Sequence, residues 1–266
     1  NNICLNFCFI AGGTQLRALV FVVIATTVTV QGLSAGWLAA ALGLRRSANT
    51  GYLFVGANLI SIHLAKRFAA AGHNVELVDT SNDQAKKAQL AGVKLIFGNA
   101  LDPRTLAKAR IDTRSHAIAL TASESVNMLF AQRVAELALE PPKTYVAIDD
   151  DTTGVSPEMV KKAGARTLFG HGVELDTWLV RFRHRHATIT RWMFVGSEPT
   201  TLESLPETVL PLFSERHGVP RLVDETTELH EGDTLEVATA SDAMAAIDTW
   251  LAQAPWVPVV EVRAIS

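Results

Sequence analysis

Residues 52–79, YLFVGANLISIHLAKRFAAAGHNVELVD, decide the fold of this chain. They contain a short apolar run that ends at Val55, a segment of helical spacing over Leu59–Ala71, and a second apolar run over Val75–Val78 that is followed by Asp79. A strand, a crossover helix and a second strand in this order form a right-handed unit with two parallel strands. The stretch therefore predicts a parallel sheet at the core of the region that follows it.

The alternation of apolar runs and helical segments continues to about Val180. Further strands are predicted at Lys94–Phe97, His116–Leu120 and Thr144–Ile148 and near Thr167–Leu168, with helices between them at Asp83–Ala91, Arg104–Ala109, Ser125–Leu139 and Pro157–Ala163. Regular alternation of this kind predicts a doubly wound α/β domain with helices on both faces of a parallel sheet. We assign residues 50–181 to this domain.

A basic stretch, RFRHRH (Arg181–His186), separates this domain from a region of different composition. Two of its histidines stand two residues apart and offer a metal pair, but we interpret the stretch as a solvated linker or helix end. Beyond it, three strands and one helix are predicted, at Thr188–Val195, Leu235–Ala238, Val257–Val262 and Ala243–Ala252. Residues 188–266 are thus expected to form a small α+β subdomain.

An uncharged run of 27 residues, from Ala18 to Leu44, precedes the first strand. As a helix it would reach about 40 Å, which exceeds a hydrocarbon core of about 30 Å. The run predicts one transmembrane helix within an N-terminal segment, residues 1–46, and Arg45 and Arg46 favour a cytoplasmic carboxyl side. A secretory signal peptide and a buried soluble helix are the alternatives. The chain opens on Asn1, so we expect a fragment of a longer protein.

Composition excludes several classes of function. The formal net charge of −3 gives no reason to expect nucleic acid as a partner. Cys4 and Cys8 are the only cysteines, and both precede the apolar run, which argues against a disulfide scaffold or a thiolate metal site in the later region. Asp149–Asp151 is interpreted as a solvated turn. With no acid–base constellation to assign, we do not expect an enzyme, and no metal site is predicted.

The loop after the first strand is a candidate nucleotide site. The dinucleotide-binding pattern G-x-G-x-x-G is occupied here by GANLIS, so that only its first glycine, Gly56, is present. Asn58 can adopt a left-handed conformation, and Ser61 is small enough for close packing of helix and strand. Backbone amides at the start of the helix, near Asn58 and Leu59, are expected to face an anion.

The ends of the next three strands add to this site. Asp79 stands 23 residues after Gly56, where a carboxylate accepts hydrogen bonds from ribose hydroxyls. The predicted cofactor-binding residues are Gly56, Asn58, Leu59, Asp79, Thr80, Gly98, Asn99, Ala100 and Thr121. The alternative is a sheet of this type that binds no ligand, in which Asp79 is only a capping residue or a solvated residue.

Five segments, which make up three separate matches, carry a resemblance to known families. VGANLISIHLAKRFAAAGHNVELVDTS, KLIFGNALDP and AIALTASESVNMLFAQRVAEL resemble the N-terminal RCK domain (also called KTN, and similar to TrkA-N). LHEGDTLEVATA and its surroundings, from Arg191 onward, are similar to the small C-terminal RCK subdomain. LRALVFVVIATTVTVQGLSAGWLAAALGL resembles the last transmembrane helix of cation:proton antiporters. The resemblance implies a Rossmann-like doubly wound parallel sheet, preceded by one transmembrane helix and followed by a small α+β subdomain.

The function implied by this resemblance is regulatory. It implies a cytoplasmic nucleotide-sensing region that gates a monovalent cation:proton antiporter in the inner or plasma membrane. Its regulatory ligand would be NAD(H) or an adenine nucleotide (ATP, ADP or AMP). Its partners would be an upstream transmembrane antiporter domain and a second copy of the chain. A regulatory domain of a potassium channel or uptake system, a membrane-tethered NAD-dependent oxidoreductase and a ligand-free dimerisation module are the alternatives.

Overall fold

The computed structural model describes residues 13–41, 50–138, 140–149 and 154–262. The chain divides into two compact units between Ser47 and Ala48. The sequence-based interpretations of Cys4, Cys8, residues 42–46 and residues 150–151 lie outside the described residues.

The first unit contains one long helix, α1 (Gly13–Ala41, 29 residues). It begins five residues before the predicted span. Within it, Gln15–Ala35 has a mean hydropathy of 1.9 and is long and apolar enough to cross a membrane, with every side chain of that window exposed. The hydroxyls of Thr27 and Thr29 donate to the carbonyls of Val23 and Ala25, both at 2.7 Å, so these polar groups are satisfied within the helix.

The second unit opens with a six-stranded parallel sheet in the order β3-β2-β1-β4-β5-β6. Its strands are β1 (Tyr52–Val55), β2 (Val75–Asp79), β3 (Lys94–Phe97), β4 (His116–Ala119), β5 (Lys143–Val146) and β6 (Ala165–Thr167). The connecting helices are α2 (Leu59–Ala70), α3 (Asn82–Leu90), α4 (Pro103–Lys108), α5 (Glu124–Leu137) and α6 (Pro157–Lys162). The predicted doubly wound sheet is confirmed. The sixth strand starts two residues earlier than predicted.

Each of these helices starts at a polar cap that the sequence places immediately after a strand or turn. The side chains of five residues accept a hydrogen bond from an amide in the first turn: Asn58, Ser81, Asp102, Ser123 and Ser156. Such caps satisfy amides that have no partner inside the helix. Because the caps follow the strand ends directly, they fix the loops at the carboxyl edge of the sheet, which is the edge where the parallel strands end.

The chain then forms a five-stranded antiparallel sheet in the order β10-β9-β12-β7-β13. The elements of this region are α7 (Leu175–Arg183), β7 (Ala187–Phe194), β8 (Thr200–Thr201), β9 (Val209–Arg216), β10 (Val219–Leu222), β11 (Glu228–Leu229), β12 (Thr234–Ala240), α8 (Met244–Leu251) and β13 (Trp256–Val262). Short strands β8 and β11 pair separately. The expected α+β subdomain is confirmed, and RFRHRH includes the end of α7, as interpreted. The sequence reading missed β8–β11 and the first half of α7.

One face of the parallel sheet packs against the antiparallel sheet. Tyr52, Phe54 and Ile118 belong to a continuous buried apolar cluster that includes residues of β7, β9 and β12. Phe68 of α2 contacts Phe213 of β9 with ring centroids 6.0 Å apart. The opposite face of the parallel sheet packs a separate apolar cluster around Phe130 of α5. The two sheets therefore share one core, and α2 lies at their junction.

Candidate functional site

Gly56 ends β1 in a conformation that only glycine adopts easily. Its φ is +92°, and a Cβ built at this position would lie 2.5 Å from the carbonyl oxygen of Leu120. Its amide donates to the carbonyl of Val78 at 2.9 Å. Gly56 is thus pressed between the ends of β2 and β4, and any side chain here would separate these strands or strain the backbone.

Asp79 reaches across from the end of β2 to the loop after Gly56. Its Oδ2 accepts from the amide of Ala57 at 2.6 Å, and its Oδ1 accepts from the amide of Ser81 at 2.7 Å. A carboxylate has about four acceptor positions, so these two bonds leave capacity for hydroxyl donors. The side chain is half-buried, which keeps one side of it open.

Asn58 caps α2 with an extended backbone, φ −79° and ψ 177°. Asn58 does not use the left-handed conformation that it can adopt, because the cap geometry needs an extended residue whose Oδ1 reaches the amide of Ser61 at 2.9 Å. Its Nδ2 donates to the carbonyl of Leu120 at 2.6 Å. Ser61 is fully buried, as its small size suggested. Among the described residues, the amides of Leu59 and Ile60 have no hydrogen-bond acceptor.

The third strand end lies beside Asp79. The amide of Gly98 donates to the carbonyl of Asp79 at 2.9 Å, and a Cβ at Gly98 would lie 2.7 Å from Oγ1 of Thr105. Asn99 uses its Oδ1 to accept from the amide of Leu101 at 2.9 Å. Ala100 is buried, whereas Thr80 and Asn99 are exposed. Gly98 therefore allows close packing against α4, and Asn99 shapes a turn.

The fourth strand end is organised by a residue that the sequence analysis did not select, Asn127. This buried amide accepts from the backbone N–H of Thr121 at 2.9 Å and from the Thr121 hydroxyl at 2.6 Å. Its Nδ2 donates to the carbonyls of Thr121 and Ala147 at 3.0 and 2.9 Å. Asn127 thus joins the ends of β4 and β5. Its position within the quoted segment ALTASESVN was the available signal.

A cavity of about 300 Å³ lies beside the start of α2. Asn58 and Leu59 line it together with three basic side chains, Lys87 of α3 and Arg183 and Arg185 at the end of α7. Cations beside a helix N-terminus suit a phosphate group. The sequence analysis did not assign these residues to the site, because the basic stretch RFRHRH lies more than a hundred residues from Gly56 and only the tertiary fold brings them together.

All nine predicted site residues lie at the carboxyl edge of the parallel sheet, in the strand ends, the loops that follow them or the start of α2. The amide of Gly56 donates to the carbonyl of Val78, and the amide of Gly98 donates to the carbonyl of Asp79. Their role in binding stays a prediction. A smaller cavity of about 130 Å³ at the same edge is lined by Thr121, Asn127 and several carboxylates. In the ranges that the structure describes, no three His, Cys, Asp or Glu side chains are grouped so that they could hold a metal ion.

Helix α2 connects this edge to the antiparallel sheet through a buried carboxylate, Glu236 of β12. Its Oε1 lies 2.5 Å from Nε2 of His63, and its Oε2 lies 3.3 Å from both Arg67 of α2 and Arg191 of β7. The Glu236 side chain is completely buried. A buried carboxylate with cationic partners from two elements fixes their relative position, because separating them would leave an unpaired charge.

Comparison with known proteins shows a similarity over the part of the chain that contains this site. A family model of the TrkA-N domain matches residues 52–170. Comparison with curated protein sequences found no match. Among solved structures, the TrkA-N domain of the inner membrane protein YbaL from Escherichia coli aligns with 14% identity and a TM-score of 0.41, over 51% of this chain and 95% of that domain.

Two structures of the GsuK channel also align. The channel bound to NAD shares 18% identity over 93% of this chain and 50% of that chain, with a TM-score of 0.38. GsuK bound to ADP shares 21% identity over 60% of this chain and 44% of that chain, with a TM-score of 0.37. This chain thus spans half of the GsuK chain or less. The part of the chain that matches the TrkA-N domain model, residues 52–170, contains the six-stranded sheet and the loops of the candidate site.

Proposed function

We propose that residues 50–262 form a nucleotide-sensing regulatory region, attached to a membrane by α1, that controls monovalent cation transport. The observation that carries the proposal is the arrangement at the carboxyl edge of the parallel sheet. There the carboxylate of Asp79 stands beside the start of α2, whose amides at Leu59 and Ile60 have no acceptor among the described residues. In open parallel sheets, ligands bind outside the carboxyl ends of the strands where the strand order reverses, and here it reverses at β1 and β4.

The proposed ligand is NAD(H) or an adenine nucleotide. Asp79 retains acceptor positions for ribose hydroxyls, and a carboxylate there disfavours the additional phosphate of NADP. The phosphates would face the open amides of α2 and the basic side chains of Lys87 and Arg183 in the neighbouring cavity. In this proposal the nucleotide is a regulatory ligand that is not consumed. NADH oxidation coupled to a small substrate would instead indicate the oxidoreductase alternative.

Helix α2 connects the proposed nucleotide site to the antiparallel sheet. The loop that a phosphate would contact continues into α2, and one to two turns later His63 and Arg67 hold Glu236 of β12. A ligand that fits one position of α2 better than another would therefore also select a position of the antiparallel sheet. The shift that it produces is limited by the difference between its affinities for the two arrangements.

The transport partner in this proposal is an antiporter domain that precedes α1. The apolar helix and the resemblance of residues 16–44 to a terminal antiporter helix support it. A channel or uptake system that uses the same regulatory domain is the nearest alternative. Vesicles that contain the whole protein distinguish them: cation-dependent proton movement that changes with NAD(H) or ADP supports the antiporter, whereas cation flux without proton movement supports a channel.

Binding is tested first, by calorimetry on the full chain in detergent micelles with NAD, NADH, ATP, ADP and AMP. Wild type is compared with Asp79→Asn, and Asp83→Asn is the matched control, since Asp83 is an exposed carboxylate in the first turn of α3. We expect one nucleotide to bind and Asp79→Asn to weaken it by about 10- to 100-fold, the loss of one or two charge-assisted hydrogen bonds. Binding that is equally strong in both variants, or no binding at all, would overturn the proposed site.

A further inference from the structure

A second cleft lies at the opposite, amino edge of the parallel sheet, between that sheet and the antiparallel sheet. Its volume is about 480 Å³, within the usual range for small-molecule sites. Residues at the beginnings of β1, β4 and β5 line one side, and residues of β9, β10 and the turn after β10 line the other. None of the predicted nucleotide-binding residues lines this cleft.

Three hydroxyl groups in this cleft have no hydrogen-bond partner among the residues that the structure describes. Tyr52, Tyr145 and Ser214 are 7%, 6% and 6% exposed and all line the cleft. Within the described part of the chain, none of their hydroxyls makes a hydrogen bond, yet none is sealed from solvent. These three hydroxyls face the solvent of the cleft and make no hydrogen bond within the described protein, so all three are available to a molecule that enters it.

The aromatic side chains hold these hydroxyls in fixed positions. The rings of Tyr52 and His116 stack with centroids 4.5 Å apart and planes 6° apart, and His116 is followed by Tyr145 at 5.9 Å. Burial raises the pKa of Tyr145 from 10.0 to about 12, so its hydroxyl stays protonated and able to donate well above neutral pH. Burial, with Lys143 and His73 nearby, lowers the pKa of His116 to about 4, so its ring adds no charge.

The charges of the cleft favour an anion. Two of its arginines are neutralised by carboxylates: Arg166 contacts Asp224 at 2.7 Å, and Arg216 contacts Asp233 at 2.6 and 2.8 Å. Lys143 and Arg221 are exposed and have no acidic partner among the residues that the structure describes. Glu228 is the one further carboxylate in the described lining, so the lining side chains carry one more positive than negative charge. Glu225 lies outside the lining but acts electrostatically on Tyr145 and Arg166.

We propose that this cleft binds a small phosphorylated organic molecule. A phosphate ester offers three peripheral oxygens, enough to accept from several hydroxyls and from Lys143 and Arg221 together, whereas a carboxylate offers two. The cleft is too large for inorganic phosphate alone, so its remaining volume would hold the organic part of the ligand. This inference is independent of the nucleotide site, which lies at the other edge of the sheet.

Calorimetry on the full chain in detergent micelles tests it, with ribose 5-phosphate, glycerol 3-phosphate and glucose 6-phosphate as probes. Inorganic phosphate, ribose and citrate serve as comparison ligands. The double variant Lys143→Ala/Arg221→Ala removes the two unpaired cations, and Lys161→Ala/Arg104→Ala is the matched control on exposed residues of α6 and α4. We expect at least one sugar or glycerol phosphate to bind, with affinity at least 10-fold lower in the cleft variant and unchanged in the control and in Asp79→Asn.

The contribution of a single hydroxyl is tested by a further variant. Tyr145→Phe, which keeps the ring and removes one donor, should weaken binding by about 3- to 10-fold. Absence of binding by all three phosphate esters, equal affinity in the cleft variant and its control, or binding of citrate in preference to them would overturn the proposal. If Asp79→Asn weakens the same binding, the ligand occupies the nucleotide site and the second site does not exist.

Discussion

The two edges of the parallel sheet differ in how far their polar side chains are hydrogen-bonded within the protein. At the carboxyl edge, Asp79, Asn58 and Asn127 are each bonded to backbone groups of the loops that they shape. At the amino edge, the hydroxyls of Tyr52 and Tyr145 line a cleft and have no partner in the described structure. The carboxyl edge is therefore preorganised by its own side chains, whereas the amino edge lacks part of its hydrogen bonding.

This difference changes what a substitution would report. A side chain at the carboxyl edge holds a loop, so its removal affects the fold before it affects a ligand. The hydroxyls of Tyr52 and Tyr145 at the amino edge make no hydrogen bond within the described residues, so their removal should affect a ligand more than the fold. The free energies of unfolding of matched variants at the two edges can therefore confirm or contradict this difference in hydrogen bonding, and neither ligand has to be known.

The largest effect is expected for Asn127→Ala. The substitution removes four hydrogen bonds and takes a partner from the half-buried backbone groups of Thr121 and from the buried carbonyl of Ala147. We expect a loss of about 2–4 kcal/mol in the free energy of unfolding, since buried groups left unpaired are costly. Urea unfolding in detergent micelles, followed by tryptophan fluorescence, measures this loss.

Asn99→Ala is the control for this variant. Asn99 is an exposed amide at the same edge with one hydrogen bond, to the amide of Leu101. Its removal should cost less than about 1 kcal/mol. Equal losses in the two variants would show that Asn127 does not organise the β4 and β5 ends as the structure indicates.

The parallel sheet was predictable because its signals are local. Each of β1 to β5 is a run of four or five residues that starts within one residue of its predicted position, and a capping residue or glycine closely follows each of β1 to β4. The antiparallel sheet was less predictable. In β9, Pro211 lies where the pairing with β12 shifts register, and a proline inside an apolar run argues against a strand. Its place in the sheet depends on β12, which follows it by almost twenty residues.

The candidate site shows the same division. The pattern of strand ends was enough to place Gly56, Asp79 and Gly98 at one edge. It did not reveal that Asp79 already accepts from the amide of Ala57, because that bond depends on how the loop turns. The amino-edge cleft was not predictable, since Tyr52, Tyr145 and Ser214 come from three strands that only the tertiary fold brings together.

An intermediate effect is expected from pH at the amino edge. Burial, Lys143 and His73 lower the pKa of His116 to about 4 in the folded protein, from an ordinary value of 6.5. As the pH falls, the unfolded chain therefore binds this proton at a higher pH than the folded protein does. Stability is lost as the pH falls from about 6.5 to about 4. The shift corresponds to at most about 3 kcal/mol, and the partial exposure of the ring reduces it, so we expect about 1–2 kcal/mol.

His116→Phe isolates this contribution, because it keeps a ring between Tyr52 and Tyr145 and removes the titration. Unfolding free energies at pH 7 and pH 4.5 should differ less in the variant than in wild type, by about 1–2 kcal/mol. Asp224 and Asp233 do not interfere in this window: burial acts to raise their pKa, but hydrogen bonds from Arg166 and Arg216 outweigh it and hold each pKa below its usual value. An identical pH dependence in the two proteins would contradict the lowered pKa of the half-buried His116.

The smallest effect, and the sharpest comparison, comes from removing one hydroxyl at each edge. Ser61→Ala deletes a fully buried hydroxyl that donates to Oδ1 of Asn58 at 3.2 Å, whereas Tyr145→Phe deletes one that has no partner in the described residues. We expect Ser61→Ala to lose about 0.5–1.5 kcal/mol and Tyr145→Phe to change the unfolding free energy by less than about 0.5 kcal/mol. Urea unfolding without added ligand measures both. A loss above about 1 kcal/mol in Tyr145→Phe would mean that the protein itself satisfies this hydroxyl, and the amino edge would then be as complete as the carboxyl edge.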